Sequence, residues 1–162
     1  MTHETTTGAQ YLGNATIGKK KPRHIEDDMC MELCKLIKQH IAAGNAPNLI
    51  TFYHTPNGGK RGKAAAGRFK AMGVLAGVPD YTFLYTRHIR DFRASLNNRR
   101  PPEFFYPSVA YLEMKAPGGR QSPSQKDFDN LCLDNGILYD LAYSVAEAVE
   151  WLEMHGIIGG GK

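Results

Sequence analysis

Apolar and polar positions alternate along this chain in two rhythms. From about Ile25 to Ala43, the residues Met29, Leu33, Leu36, Ile37 and His40 recur at three- and four-residue steps, the period of one helix face, and Gly44-Asn45 ends the run. Leu49 to His54 reads as a strand, stopped by the turn-forming Pro56-Asn57-Gly58-Gly59. Ala64 to Leu75 returns to the helical period, with Phe69 and Met72 on its inner side. Short apolar runs at Tyr81–Tyr85, Val109–Lys115 and Ile137–Ala142 read as further strands. Ser122, with Pro123 at the first helical position and Gln125 two residues on, forms a capping box for a helix to about Asn135, where Gly136 terminates it. Ser144 with Glu147 repeats the cap before a last helix ending near His155.

The element order is α-β-α-β-β-α-β-α, an α/β domain with helices on both sides of a central mixed sheet. At 162 residues the chain suits one domain. Residues 1–23 read as a loose basic tail, 24–158 as the folded domain and 159–162 as a glycine-rich end. The segment from Thr86 to Pro107 breaks the pattern with arginines, Asn97-Asn98 and prolines, and reads as a long loop or an excursion with some helix of its own. No run reaches the 18 or so apolar residues of a membrane span, and the N-terminus has no apolar signal region. With Cys30, Cys34 and Cys132 in no metal-ligand pattern, the expectation is a cytoplasmic protein with reduced thiols and no membrane partner.

Charge changes the picture more through its distribution than through its net value of +4. Lys19, Lys20, Lys21 and Arg23 form one basic segment, and Lys60, Arg61, Lys63, Arg68 and Lys70 a second that holds no acid. Arg87, Arg90, Arg93, Arg99 and Arg100 crowd a third. From Lys126 onward acids dominate. Three basic segments brought to one face would suit a polyanion such as DNA, whereas a solvated surface would mix its signs.

Against this basic background a few carboxylates stand out. Asp80 follows Gly77-Val78-Pro79 and opens a strand, and Glu113 lies inside the Val109–Lys115 strand, with Lys115 on the same face by period-two alternation. Glu26, seven residues before Leu33, points along the apolar face of the first helix; Glu32, about 100° from the centre of that face, is its rival. A carboxylate taken out of water is costly unless paired, and a divalent cation relieves that cost for clustered acids. Hard oxygen donors without soft ones favour Mg²⁺ or Mn²⁺ over Zn²⁺. Taken singly, Asp80 also reads as a turn cap, Glu113 and Lys115 as a strand-surface ion pair, and Gln125 as a capping residue only. His24, His40, His54, His88 and His155 are too dispersed for a zinc site, and Asn57-Gly58-Gly59-Lys60 lacks the full phosphate-loop pattern, so no nucleotide cofactor is expected.

In order, Gly77-Val78-Pro79-Asp80, Glu113-Met114-Lys115 and Ser122-Pro123-Ser124-Gln125 resemble the virus-type replication–repair nuclease domain (VRR-NUC) of the PD-(D/E)xK nuclease superfamily. Pro56-Asn57-Gly58-Gly59-Lys60-Arg61 and Lys70-Ala71-Met72-Gly73-Val74-Leu75-Ala76-Gly77 extend the resemblance, which covers about residues 25–155 and is similar to compact, phage-encoded members. It implies a restriction-endonuclease-like core and a Mg²⁺-dependent endo- or exodeoxyribonuclease, Mn²⁺ substituting, and a homodimeric assembly in the host cytoplasm; some such relatives act at branched junctions. By the same resemblance Asp80, Glu113 and the Met114 carbonyl would hold the metal. Lys115 would position or activate the attacking water, Gln125 would support the site, and Glu26, with Glu32 as its rival, would be the acid of the first helix. By charge and position rather than by the resemblance, DNA contacts would fall to Lys60, Arg61, Lys63, Arg68, Arg87, Arg90, Arg93, Arg99 and Arg100, the last five from an insertion at about 86–107 that sets the chain apart from a minimal member. The rival readings are a catalytically silent nucleic-acid-binding module and a small scaffold or assembly protein.

Overall fold

The computed structural model describes residues 24–56, 63–90 and 103–159. The basic tail, Lys60, Arg61, Arg93, Arg99 and Arg100 lie outside them. The elements are α1 (Ile25–Ala42), β1 (Leu49–His54), α2 (Lys63–Ala71), β2 (Tyr81–Arg90), β3 (Glu103–Met114), α3 (Pro123–Asp134), β4 (Leu138–Ala142) and α4 (Val145–Met154). The strands form one mixed sheet in the order β1-β2-β3-β4, antiparallel except for the parallel β3–β4 pair. The α/β class and its order of elements therefore stand. Among the described residues no helix is long and apolar enough to cross a membrane.

The pleat sorts the side chains. Tyr81, Phe83, Tyr85, Ala110, Leu112 and Met114 point to one face and pack with Leu33 and Ile37 of α1 and Ala148 and Leu152 of α4. Tyr81 is further tied to α1 by its hydroxyl, which donates to the Cys30 carbonyl at 2.6 Å. On the opposite face, Phe128 of α3 meets Tyr111 edge-on, with ring centres 5.0 Å apart, and leans on Tyr139. Helices thus flank both faces, as the two faces of apolar residues require. The three cysteines are free thiols, two of them buried, and burial pushes Cys30 up to about 12, so it stays protonated and inert.

Two expectations are corrected. Residues 86–90 and 103–107 are neither loop nor helix; they continue β2 and β3 as an antiparallel ribbon, paired from Thr86↔Pro107 out to Arg90↔Glu103. The arginines and prolines masked an alternation that cross-strand pairing satisfies. The helix expected over 64–75 ends at Ala71, and Met72, assigned to its inner side, is 64% exposed, because the chain turns at Gly73 before the apolar period can continue. Phe69 is half-buried.

Candidate active site

Three chain segments end together at one end of the sheet: β1 closes at His54, β2 opens after Asp80, and β3 closes at Glu113-Met114-Lys115. Their antiparallel register makes this meeting obligatory, since Tyr81 pairs with both His54 and Leu112. Asp80 and Glu113 then hold each other through backbone groups. The Asp80 N–H donates to Glu113 Oε2 at 3.2 Å, and the Met114 N–H donates to Asp80 Oδ2 at 2.9 Å.

Lys115 Nζ donates to Glu113 Oε1 at 2.5 Å, and Gln125 Nε2 donates to the same oxygen. The alternation read from Tyr111-Leu112-Glu113-Met114-Lys115 is realised: Leu112 and Met114 are buried in the core, and Glu113 and Lys115 meet on the other face. That face is no solvated edge, since Glu113 is 2% and Lys115 9% exposed. Gln125 carries two functions. Its Oε1 accepts the Ser122 N–H at 2.8 Å, completing the cap of α3, while its Nε2 reaches Glu113. Glu26, in the first turn of α1, accepts the Ala116 N–H at 3.0 Å and so stands beside Lys115. Glu32 lies a helical turn and a half further along α1, with Val145, Val149 and Glu150 of α4, away from this cluster.

The electrostatics of the two acids are set first by burial. Burial pushes the Asp80 carboxyl up, against the Met114 hydrogen bond and the charges of His54 and Lys115. Burial also raises Glu113, opposed by the Lys115 contact and reinforced by Asp80. Burial alone would lower Lys115, but its hydrogen bond to Glu113 and the charges of Glu113, Glu26 and Asp80 outweigh it and hold the ammonium above its usual value. Lys115 is therefore a fixed cation at neutral pH, which argues for orientation and charge compensation over proton abstraction.

Among the described residues, no group of three or more His, Cys, Asp and Glu is arranged to hold a metal. The two carboxylates and the Met114 carbonyl nevertheless fit Mg²⁺ or Mn²⁺ in donor type. Mg²⁺ commonly takes one or two carboxylates and keeps several waters, and the acids here have raised pKa values that a cation would relieve.

A groove of about 780 Å³ opens beside Gln125, bounded by Phe69 and Lys70 of α2, the stretch Gly73–Val78 and the serines that begin α3. Of the expected DNA-contacting residues, Lys63 begins α2 and Arg68 is exposed on it. Arg87 is exposed on β2 and Arg90 ends that strand, at the end of the sheet remote from Asp80. Two residues at the site escaped sequence reasoning in this role. His54 is one of several histidines scattered along the sequence; only the strand register brings it level with Asp80. Gly77 was noted within a motif, but its close approach to α3 follows from packing alone. No protein-family model matches the chain, nor does any curated protein or solved structure.

Proposed function

We propose that this chain is a divalent-metal-dependent deoxyribonuclease that hydrolyses DNA phosphodiester bonds, as its resemblance to VRR-NUC domains implies. The observation that carries the reading is the junction of Asp80, Glu113, Lys115 and Gln125 at one end of the sheet, with Glu113 held by three donors. A module that only binds DNA has no need of acids facing the polyanion, because they repel phosphate.

Asp80, Glu113 and the Met114 carbonyl would hold Mg²⁺ or Mn²⁺, which when bound supplies Lewis-acid polarisation of the phosphate and a more acidic water. The remaining functions belong to the chain. Lys115 offsets negative charge gathering on the phosphoryl oxygens and orients the attacking water by hydrogen bonding. Gln125 locks the Glu113 rotamer, so the carboxylate need not reorganise during the reaction. Glu26 pins the main chain just past Lys115 through the Ala116 N–H. One such site cuts one strand, so paired cuts at a duplex or a junction would take a homodimer. A single domain of this size suits recognition of DNA shape over a long base sequence.

The test is cleavage of labelled duplex, nicked, flap and four-way-junction DNA with Mg²⁺, Mn²⁺ or chelator, alongside Glu113→Ala. Metal-dependent cutting that disappears in the variant supports the nuclease. A folded chain that binds DNA equally with metal and with chelator, and cuts none of the panel, favours the silent binding module instead.

A further inference from the structure

β1 is an outer strand of the sheet, and its last residue, His54, lies across from Tyr81, the neighbour of Asp80. The next residue fixes this alignment, since the Thr55 N–H donates to the Asp80 carbonyl at 2.8 Å. The imidazole rests edge-on against the Tyr81 ring, with centres 5.2 Å apart and planes at 75°. Tyr81 is itself anchored through its hydroxyl to Cys30, so the histidine sits on a rigid platform. It is exposed, and among the described residues its nitrogens have no hydrogen-bond partner. The adjacent Thr55 Oγ1 is buried and also lacks one there. A packed, oriented ring with idle nitrogens at the mouth of a carboxylate site has its donor available to a ligand.

Two basic side chains act on Asp80, His54 and Lys115. Lys115 comes from the β3 side and is bound to Glu113; His54 comes from the β1 side and, among the described residues, makes its ring contact with Tyr81 and no hydrogen bond through its side chain. We propose that His54 binds a phosphate of the DNA strand held at the carboxylate site, donating an imidazole N–H to a phosphoryl oxygen on the flank away from Lys115. This proposal deepens the nuclease reading and rests on its DNA-binding part. Either the neutral or the charged ring supplies the N–H.

The test compares His54→Phe, which keeps the ring on Tyr81 and removes the donors, with His54→Gln, which keeps a donor and loses the ring. DNA affinity is read by fluorescence anisotropy of a labelled duplex in Ca²⁺, cleavage as KM and kcat in Mg²⁺, and folding by thermal melts. Loss of a hydrogen bond to a charged group should weaken binding by about tenfold or more in His54→Phe. The loss should fall on affinity and KM more than on kcat, with the melting temperature unchanged, and His54→Gln should recover part of it. Affinity and KM in His54→Phe equal to wild type would overturn the proposal, as would losses that track a fallen melting temperature in both variants. Wild-type protein that binds DNA without cutting it would remove the nuclease reading while the affinity comparison still decides His54. Wild-type protein with no DNA affinity would remove both.

Discussion

Gly77 and Ser124 approach so closely that a Cβ on Gly77 would lie 2.1 Å from the Ser124 carbonyl oxygen. Gly77 also has φ +83°, a conformation that residues with a Cβ rarely adopt. This contact sets the strand-entry segment carrying Asp80 against the first turn of α3, which carries Gln125. Gly77→Ala must therefore displace backbone against backbone. We expect a loss of about 2–4 kcal/mol and a loss of cleavage larger than the loss of folded protein at the assay temperature. Melts and specific activity measured on the same sample check this; a variant with wild-type stability would mean that the two segments can separate freely.

Gln125 both caps a helix and holds a carboxylate, and substitution can divide these functions. Gln125→Glu retains an oxygen for the Ser122 N–H but replaces the donor to Glu113 with a second anion. Gln125→Ala removes both contacts. The glutamate variant should keep the cap yet cut DNA at least about 100-fold more slowly. The alanine variant should also lose about 1 kcal/mol from the cap. Full activity in Gln125→Glu would show that Glu113 does not depend on this donor.

The raised pKa of Asp80 makes a stability statement with a definite sign. Burial, the largest cause, lifts the carboxyl above its ordinary 3.8, so the folded chain holds that proton more tightly than the unfolded chain. Folding is unpenalised below the ordinary value, and stability is lost as pH rises through the folded value. Asp80→Asn keeps an oxygen for the Met114 N–H and removes the charge. At pH 7 it should be more stable than wild type by about 0.5–2 kcal/mol, with the two converging below about pH 4, and it should be inactive. Melting curves across pH 3–8 check this, and a constant offset at every pH would rule out the charge argument. Mg²⁺ should raise the melting temperature of wild type and not of this variant.

The paired ribbon carries its arginines away from the carboxylates. The 10 residues of β2 span roughly 30 Å, the length of roughly nine base pairs. If the ribbon contacts DNA it does so well away from the carboxylates: Arg87 and Phe105, 60% exposed and paired with His88, lie roughly 20 Å beyond Tyr81, and Arg90 further still. Arg87→Ala with Arg90→Ala should weaken binding and lower its salt dependence on a duplex of about 20 base pairs, and leave a duplex of about five, too short to reach Arg87, unaffected. Equal losses on both lengths would place the arginines next to the cut, contrary to the strand geometry.

Legibility in the sequence followed the range of the interaction. The cap of α3 was readable because Ser122 and Gln125 are three residues apart, and the shared face of Glu113 and Lys115 because strand side chains alternate. The ribbon was not readable: its pairing joins residues across the intervening segment, and the arginines and prolines obscured its alternation. Met72 was misplaced because a helical period says nothing of where a helix stops being covered.

The α/β class, the order of elements, the helix caps and a short list of acids with one lysine are all written in periods and spacings of a few residues. Only the tertiary structure decided which of these meet. It joined Asp80 to Glu113 across 33 residues and Glu26 to Ala116 across 90, left Glu32 elsewhere, and brought His54 level with the carboxylates. The physical reason is that local preferences act through bonds and near neighbours. Strand register and helix packing are set by burying the whole core at once, and these long-range meetings depend on them.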